Sequence, residues 1–262
     1  MSTARAFEGG RKALVGYWPA GYPDVDASIE AVQTMVAAGC DIIEVGLPYS
    51  DPVMDGGTVQ AAAQQALEAG VRTRDVLRVV EASATTGAPT VVMTYYNPVL
   101  RYGVDRFAAD LKAAGGAGLI TPDLTPDSGA EWIAAADRLD LDKIFLVAPS
   151  STDERLQMTV ANCRGFVYAT AVMGVTGARA TTSSLAAPLV ARTHEVTDLP
   201  VGVGLGVSTG EQAEEVAGFA EAVIVGSAFI KPYLDAPDRE SALAALRDKV
   251  AELAAGVARV KG

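Results

Sequence analysis

Histidine, cysteine and positive charge are all scarce in this chain, and each scarcity removes a class of function. The single histidine, His194, falls in a helical pattern over residues 185–196, so no histidine-based triad or metal cluster can be built around it. Cys40 and Cys163 are isolated thiols without CxxC or Cys/His spacing, which suits packing in a reducing compartment rather than a disulfide framework. The lysines (Lys12, Lys112, Lys143, Lys231, Lys249 and Lys261) all avoid the C-terminal ends of the expected strands, which argues against a Schiff-base aldolase. Acidic residues outnumber basic ones by 32 to 21, a net charge of -11. That balance weighs against nucleic acid and anionic membrane surfaces, but not against a phosphorylated small molecule held by backbone N–H groups. No run approaches the roughly 18 apolar residues of a membrane span. The first twenty residues, interrupted by glycine and proline, lack the apolar stretch of a secretory signal. A cytoplasmic location is expected.

What is present is an alternation. Half of the 262 residues are apolar and a fifth charged, enough for a sizeable core. Short apolar runs at 13–18, 42–46, 90–94, 118–121, 144–147, 165–169, 201–203 and 222–225 read as strands. Between them, Ala-rich patterns read as helices over 26–38, 58–69, 73–83, 104–114, 126–139, 152–161, 185–196, 210–217 and 239–257. Asp24, Thr125 before Pro126, Ser151 and Ser208 are the expected helix starts. Eight strand–helix units with near-continuous apolar strands imply a parallel sheet covered by helices. Closure into a single-domain (β/α)8 TIM barrel over residues 1–262 is the expectation, an open doubly wound sheet the alternative.

In such a barrel the chemistry sits at the C-terminal ends of the strands. The second strand runs into Glu-Val-Gly-Leu-Pro-Tyr-Ser-Asp-Pro-Val-Met-Asp-Gly (44–56). Asp41 and Asp51 are the kind of acids that solvate or cap a loop. Glu44 alternates with Ile43 and Val45 on a strand that should be buried, where a carboxylate costs several kcal/mol unless partnered or functional. With no zinc cluster, triad or strand-end lysine, the inventory that remains is carboxylates, tyrosines, hydroxyls and glycines. It describes a site for acid–base chemistry on a polarised small molecule.

Gly-Val-Gly-Leu-Gly-Val-Ser (202–208) and Val-Gly-Ser-Ala-Phe-Ile-Lys (225–231) follow neighbouring strands, each leading into a helix start. Free N–H groups there would form a phosphate site completed by Ser227, as in many barrels. Gly-Val-Thr-Gly (174–177) is read as a further lobe or a hinged lid.

Residues 44–56 also resemble the signature of the tryptophan synthase alpha chain family. Met-Thr-Tyr-Tyr-Asn-Pro-Val-Leu-Arg-Tyr-Gly (93–103), Gly-Val-Thr-Gly-Ala-Arg (174–179) and Ile-Val-Gly-Ser-Ala-Phe-Ile-Lys (224–231) fall where that family's other motifs fall. The resemblance runs from Tyr17 to about Lys231. It implies a barrel that cleaves indole-3-glycerol phosphate to indole and glyceraldehyde 3-phosphate in tryptophan biosynthesis. It implies no metal or cofactor in this subunit, with pyridoxal phosphate in a partner beta chain of an alpha-beta-beta-alpha heterotetramer. By motif position Glu44 matches the catalytic glutamate and Asp55 the carboxylate that contacts the indole N–H. Tyr168 and Thr176 match residues lining the closed site, Tyr17 and Leu100 the indole pocket, and Gly177, Gly206, Gly226 and Ser227 the phosphate cradle. Pro48, Asp51, Pro52 and the 97–103 loop, with Asn97 and Pro98, match surface that meets the beta chain.

The chain departs from the family's commonest pattern in places. Gly57 stands where proline is usual, Thr125 also replaces a proline, and Ala171 and Val172 replace a Ser–Arg pair. Residues 19–22 read Pro-Ala-Gly-Tyr where the family has Thr-Ala-Gly-Asp. The extra glycine at 57 is expected to loosen the catalytic loop by about 0.5–1 kcal/mol. Other readings share much of this pattern: a stand-alone lyase releasing free indole, a non-catalytic subunit that activates the beta chain, and a related phosphate-binding barrel isomerase.

Overall fold

Side chains alternate across each strand, so every barrel strand feeds two apolar layers, one inside the barrel and one beneath the helices. The structure, a computed structural model, describes residues 1–170, 183–204 and 206–260. Among these, the strand segments are β1 (Ala13–Pro19), β2 (Ile42–Gly46), β3 (Thr90–Met93), β4 (Gly118–Ile120), β5 (Asp142–Ile144), β6 (Leu146–Val147), β7 (Val167–Thr170), β8 (Val201–Gly204) and β9 (Ala222–Val225). They form one sheet in the order β5-β4-β3-β2-β1-β9-β8-β7-β6, every pairing parallel. Only Phe145 separates β5 from β6, and its carbonyl accepts the Tyr168 N–H at 3.1 Å. The two ends of the sheet are therefore one continuous strand, and the sheet closes as an eight-position barrel.

Around it run α1 (Val25–Ala38), α2 (Gly57–Glu68), α3 (Thr73–Ala84), α4 (Tyr96–Tyr102), α5 (Val104–Ala113), α6 (Ala130–Arg138), α7 (Asp153–Asn162), α8 (Ser183–His194), α9 (Gly210–Ala217), α10 (Ser227–Asp235) and α11 (Arg239–Ala258). The interior layer contains Val15, Ile42, Val91, Ile120, Ile144, Phe166 and Ile224. The outer layer sets Leu14, Ile43, Val45, Val92 and Leu119 against helix residues such as Val32, Met35, Phe107 and Trp132. In register, Val15 pairs with Ile42 and Tyr17 with Glu44, so Tyr17 and Glu44 share the inward parity of that interior layer.

The N-terminal end of the barrel is sealed by a 3-10 segment, Thr3–Gly10. Its Phe7 packs against Phe166 with ring centroids 6.2 Å apart. Asp142, fully buried at the start of β5, accepts the Thr3 N–H (2.6 Å), the Thr3 hydroxyl (2.7 Å) and the Ser2 hydroxyl (2.9 Å).

Several expected boundaries move. The fifth barrel strand begins at Asp142 rather than Ile144, because the polar groups of Asp142 and Lys143 are satisfied by the 3-10 segment and by Asp137. Pro126 opens a turn closed by the Ser128 N–H on the Thr125 carbonyl (3.0 Å), and α6 starts only at Ala130. Asp24 caps α1 as expected, whereas Ser151 and Ser208 lie one residue before the actual caps, Thr152 and Thr209. The 3-10 segment, α4 and the extent of α10 are additions to the sequence reading.

Candidate active site

Glu44 enters the barrel interior from β2 and is 1% exposed. Its Oε1 has no hydrogen-bond partner among the described residues. Burial pushes its carboxyl up to about 8, so the acid is held protonated at neutral pH with its proton available. Two tyrosines stand over it. The Tyr17 hydroxyl lies 2.3 Å from where a Cβ on Gly46 would sit, and the Tyr168 hydroxyl 2.6 Å from where one on Gly204 would sit. Any side chain at those two strand ends would displace a ring, so glycine leaves room for the two phenols. Burial raises both phenols well above the usual range, and the charges of Asp55 and Glu44 add to it, so both stay neutral hydroxyls.

Asp55 approaches from the loop after β2, two residues before α2 begins. It lines a cavity of about 20 Å³ with Tyr17, Met93, Thr94 and Tyr95, room for about one water. Partial burial raises its carboxyl as well. Glu44 is not on the wall of this cavity. Two more buried hydroxyls, Thr94 Oγ1 and Thr121 Oγ1, have no hydrogen-bond partner among the described residues and stand just past the ends of β3 and β4.

Opposite, β9 turns at Gly226 into α10, whose first turn has no side-chain cap. Ser227 is exposed, as is Gly206, which adopts a left-handed φ of 65° in the turn after β8. A Cβ on Gly56 would stand 3.9 Å from the Ser227 hydroxyl, so the Asp55 loop abuts this turn. The start of α9 is different from what the glycine pattern suggested. Thr209 accepts the Gln212 N–H, and the Gly210 N–H is spent on Glu252 at 3.1 Å. Free N–H groups for an anion therefore belong to α10 rather than to both helices.

Other expected positions fare unevenly. Leu100 is 49% exposed on α4 and stands outside the cavity; Met93 and Leu47 supply the apolar wall instead. Pro48 is buried and lines the cavity. Asp51 and Asn97 are exposed, while Pro52 and Pro98 are half-buried. Thr176 and Gly177, with Ala171 and Val172, lie outside the described residues. Met93 and Tyr95 went unassigned in the sequence, although the Tyr-Tyr-Asn run at a strand end marked the place. His194 sits on the surface with Nε2 3.0 Å from Glu221. Among the described residues no cluster of His, Cys, Asp or Glu is arranged to hold a metal, and no helix is long and apolar enough to cross a membrane.

The model of the tryptophan synthase alpha chain family matches residues 3–258. The tryptophan synthase alpha chain of Salinispora tropica is 63% identical over 248 residues, covering 95% of this chain and 93% of that one. The Thermobifida fusca alpha chain is 59% identical over 257 residues, 97% of this chain and 95% of its own. Among solved structures, tryptophan synthase of Mycobacterium tuberculosis superposes with a TM-score of 0.92 at 54% identity, covering 99% of this chain and 98% of that one. The tryptophan synthase complex of Pyrococcus furiosus gives a TM-score of 0.83 at 32% identity over 93% of this chain and 98% of that one. Matched by the family model over residues 3–258 and by relatives and a solved structure along nearly its whole length, the chain belongs to the tryptophan synthase alpha chain family.

Proposed function

We propose that Glu44 and Asp55 carry out in this chain the family's reaction. That reaction is a lyase step, the retro-aldol cleavage of indole-3-glycerol phosphate to indole and glyceraldehyde 3-phosphate in tryptophan biosynthesis. The carbon–carbon bond between indole C3 and the side chain must break with its electrons returning to the ring. Protonation at C3 turns the ring into an indolenine, which accepts those electrons. Removal of the proton from the adjacent side-chain hydroxyl then expels indole and leaves the aldehyde. A single group that first gives and then takes a proton suffices, and Glu44, protonated at neutral pH, starts in the right form. Asp55 accepts a hydrogen bond from the indole N–H and stabilises the positive charge that develops there. Tyr17 and Tyr168 flank the ring. Gly206, Gly226 and Ser227 hold the phosphate with main-chain N–H groups and one hydroxyl.

One observation carries this reading: a fully buried carboxylate with an unpartnered oxygen, inside the mouth of the barrel. A structural acid would be hydrogen-bonded, as Asp142 is at the other end. The rest follows the family: the whole chain acts as one catalytic domain in the cytoplasm, beside a beta chain that carries pyridoxal phosphate, in an alpha-beta-beta-alpha assembly. Val53 (86% exposed), Met54 (47%) and Leu100 (49%) support such a partner, since they leave apolar side chains uncovered alongside the exposed Asp51 and Asn97. An indole-formation assay on indole-3-glycerol phosphate, with and without a beta subunit, tests the reading. Indole should appear in both and faster with the partner; no indole in either would overturn it.

A further inference from the structure

Between Leu47 and Asp55 the chain makes few attachments. At one end the Leu47 N–H donates to the Met93 carbonyl at 2.9 Å, and at the other the Gln60 side chain donates to the Asp55 carbonyl at 2.7 Å. Within the span, Ser50 and Asp51 bond only each other, and the Val53 and Met54 side chains face solvent. Among the described residues, one group outside the span reaches it with hydrogen bonds. The Tyr95 hydroxyl accepts the Val53 N–H at 2.7 Å and the Met54 N–H at 2.9 Å. The Tyr95 ring is buried and stacks on Tyr49, centroids 5.0 Å apart and planes 29° from parallel. Its own backbone is fixed where Asp123 accepts the neighbouring Tyr96 N–H at 2.9 Å.

We infer that Tyr95 is a positioning residue of the reaction: its hydroxyl tethers the two amides immediately before Asp55 and so sets where that carboxylate stands. The inference rests on the role proposed for Asp55 and extends it to a residue that contacts the loop rather than the reacting atoms. Correct placement of a catalytic group is worth large factors in rate, and a displacement of about 1 Å costs on the order of 100-fold. At Val53 and Met54, whose side chains face outward, side-chain packing does little to hold the backbone, so a buried acceptor for their N–H groups is the means available.

Tyr95→Phe keeps the ring and its stacking and removes only the acceptor. In the full chain with its beta subunit, kcat for indole formation should fall about tenfold, with a smaller change in KM. Amide hydrogen exchange at Val53 and Met54 should accelerate, while β2 and α2 keep wild-type protection and the thermal midpoint stays nearly fixed. In an Asp55→Asn background the same change should add little, since both act through one carboxylate. Wild-type kcat in Tyr95→Phe, unchanged exchange at the two amides, or a full additional loss in the double variant would each overturn the tether. If the wild-type chain makes no indole, the functional reading fails, and the exchange measurement still decides whether the hydroxyl holds the loop.

Discussion

At Glu44, position and chemistry are set by one alternation: Ile43 and Val45 face the helices, so the residue between them faces the barrel interior. Glu44→Gln should lower indole formation by at least about 100-fold, the usual cost of losing a general acid–base group; a loss within about tenfold would remove the assignment. Because Glu44 starts as the acid, kcat/KM should fall as pH rises past about 8. A flat profile between pH 7 and 9 would contradict that. The same group affects folding with a definite sign. Its folded pKa lies above the unfolded value of about 4.3, so the folded state holds the extra proton between the two. The stabilisation is complete below the unfolded value and is lost as pH climbs toward about 8. Denaturant midpoints measured from pH 5 to 8 should decline, and Glu44→Gln should flatten that slope.

At the scale of elements, the patterns that could be read were those whose residues point one way. The bounds of β2, β9 and α9 coincide with the expected ones, since β-branched runs and a Thr-capped Ala-rich stretch leave few alternatives. Helix α4 was hidden by Pro98, which reads as a breaker but sits in the first turn, where a missing N–H costs nothing. The strand from Asp142 was hidden by its own polar residues: Asp142 pairs with Thr3, far away in sequence, and Lys143 with Asp137. The site divided in the same way. Glu44 and the glycine turns stood out, whereas Met93 and Tyr95 act through contacts that no local spacing encodes. Leu100, on α4, is exposed and is not among the residues lining the small cavity beside Asp55. Gly57 also changes meaning, for it is the first residue of α2 rather than part of the loop. Gly56 before it is extended (φ -71°, ψ 160°), as a residue preceding proline must be, and nothing crowds a side chain at 57. Gly57→Pro should therefore stabilise the fold by about 0.5–1 kcal/mol, read as a higher denaturant midpoint.

Across the whole molecule the two ends of the barrel divide the work. The C-terminal mouth carries an unsatisfied acid and exposed apolar side chains; the N-terminal base carries an acid with every bond made. Asp142→Ala should cost about 2–4 kcal/mol in denaturant unfolding, because it strands the N–H and hydroxyl groups of Thr3 and Ser2. Activity per folded molecule should stay within about twofold of wild type. The seal also has a bearing on synthesis. Thr3 and Asp142 are 139 residues apart, so the Thr3 turn waits for its anchor while all the chain between them is made. At roughly 5–20 residues per second that is about seven to thirty seconds. Throughout that interval Phe7 has no ring to cover, and the unanchored Thr3–Gly10 segment is a natural handle for a chaperone or a protease.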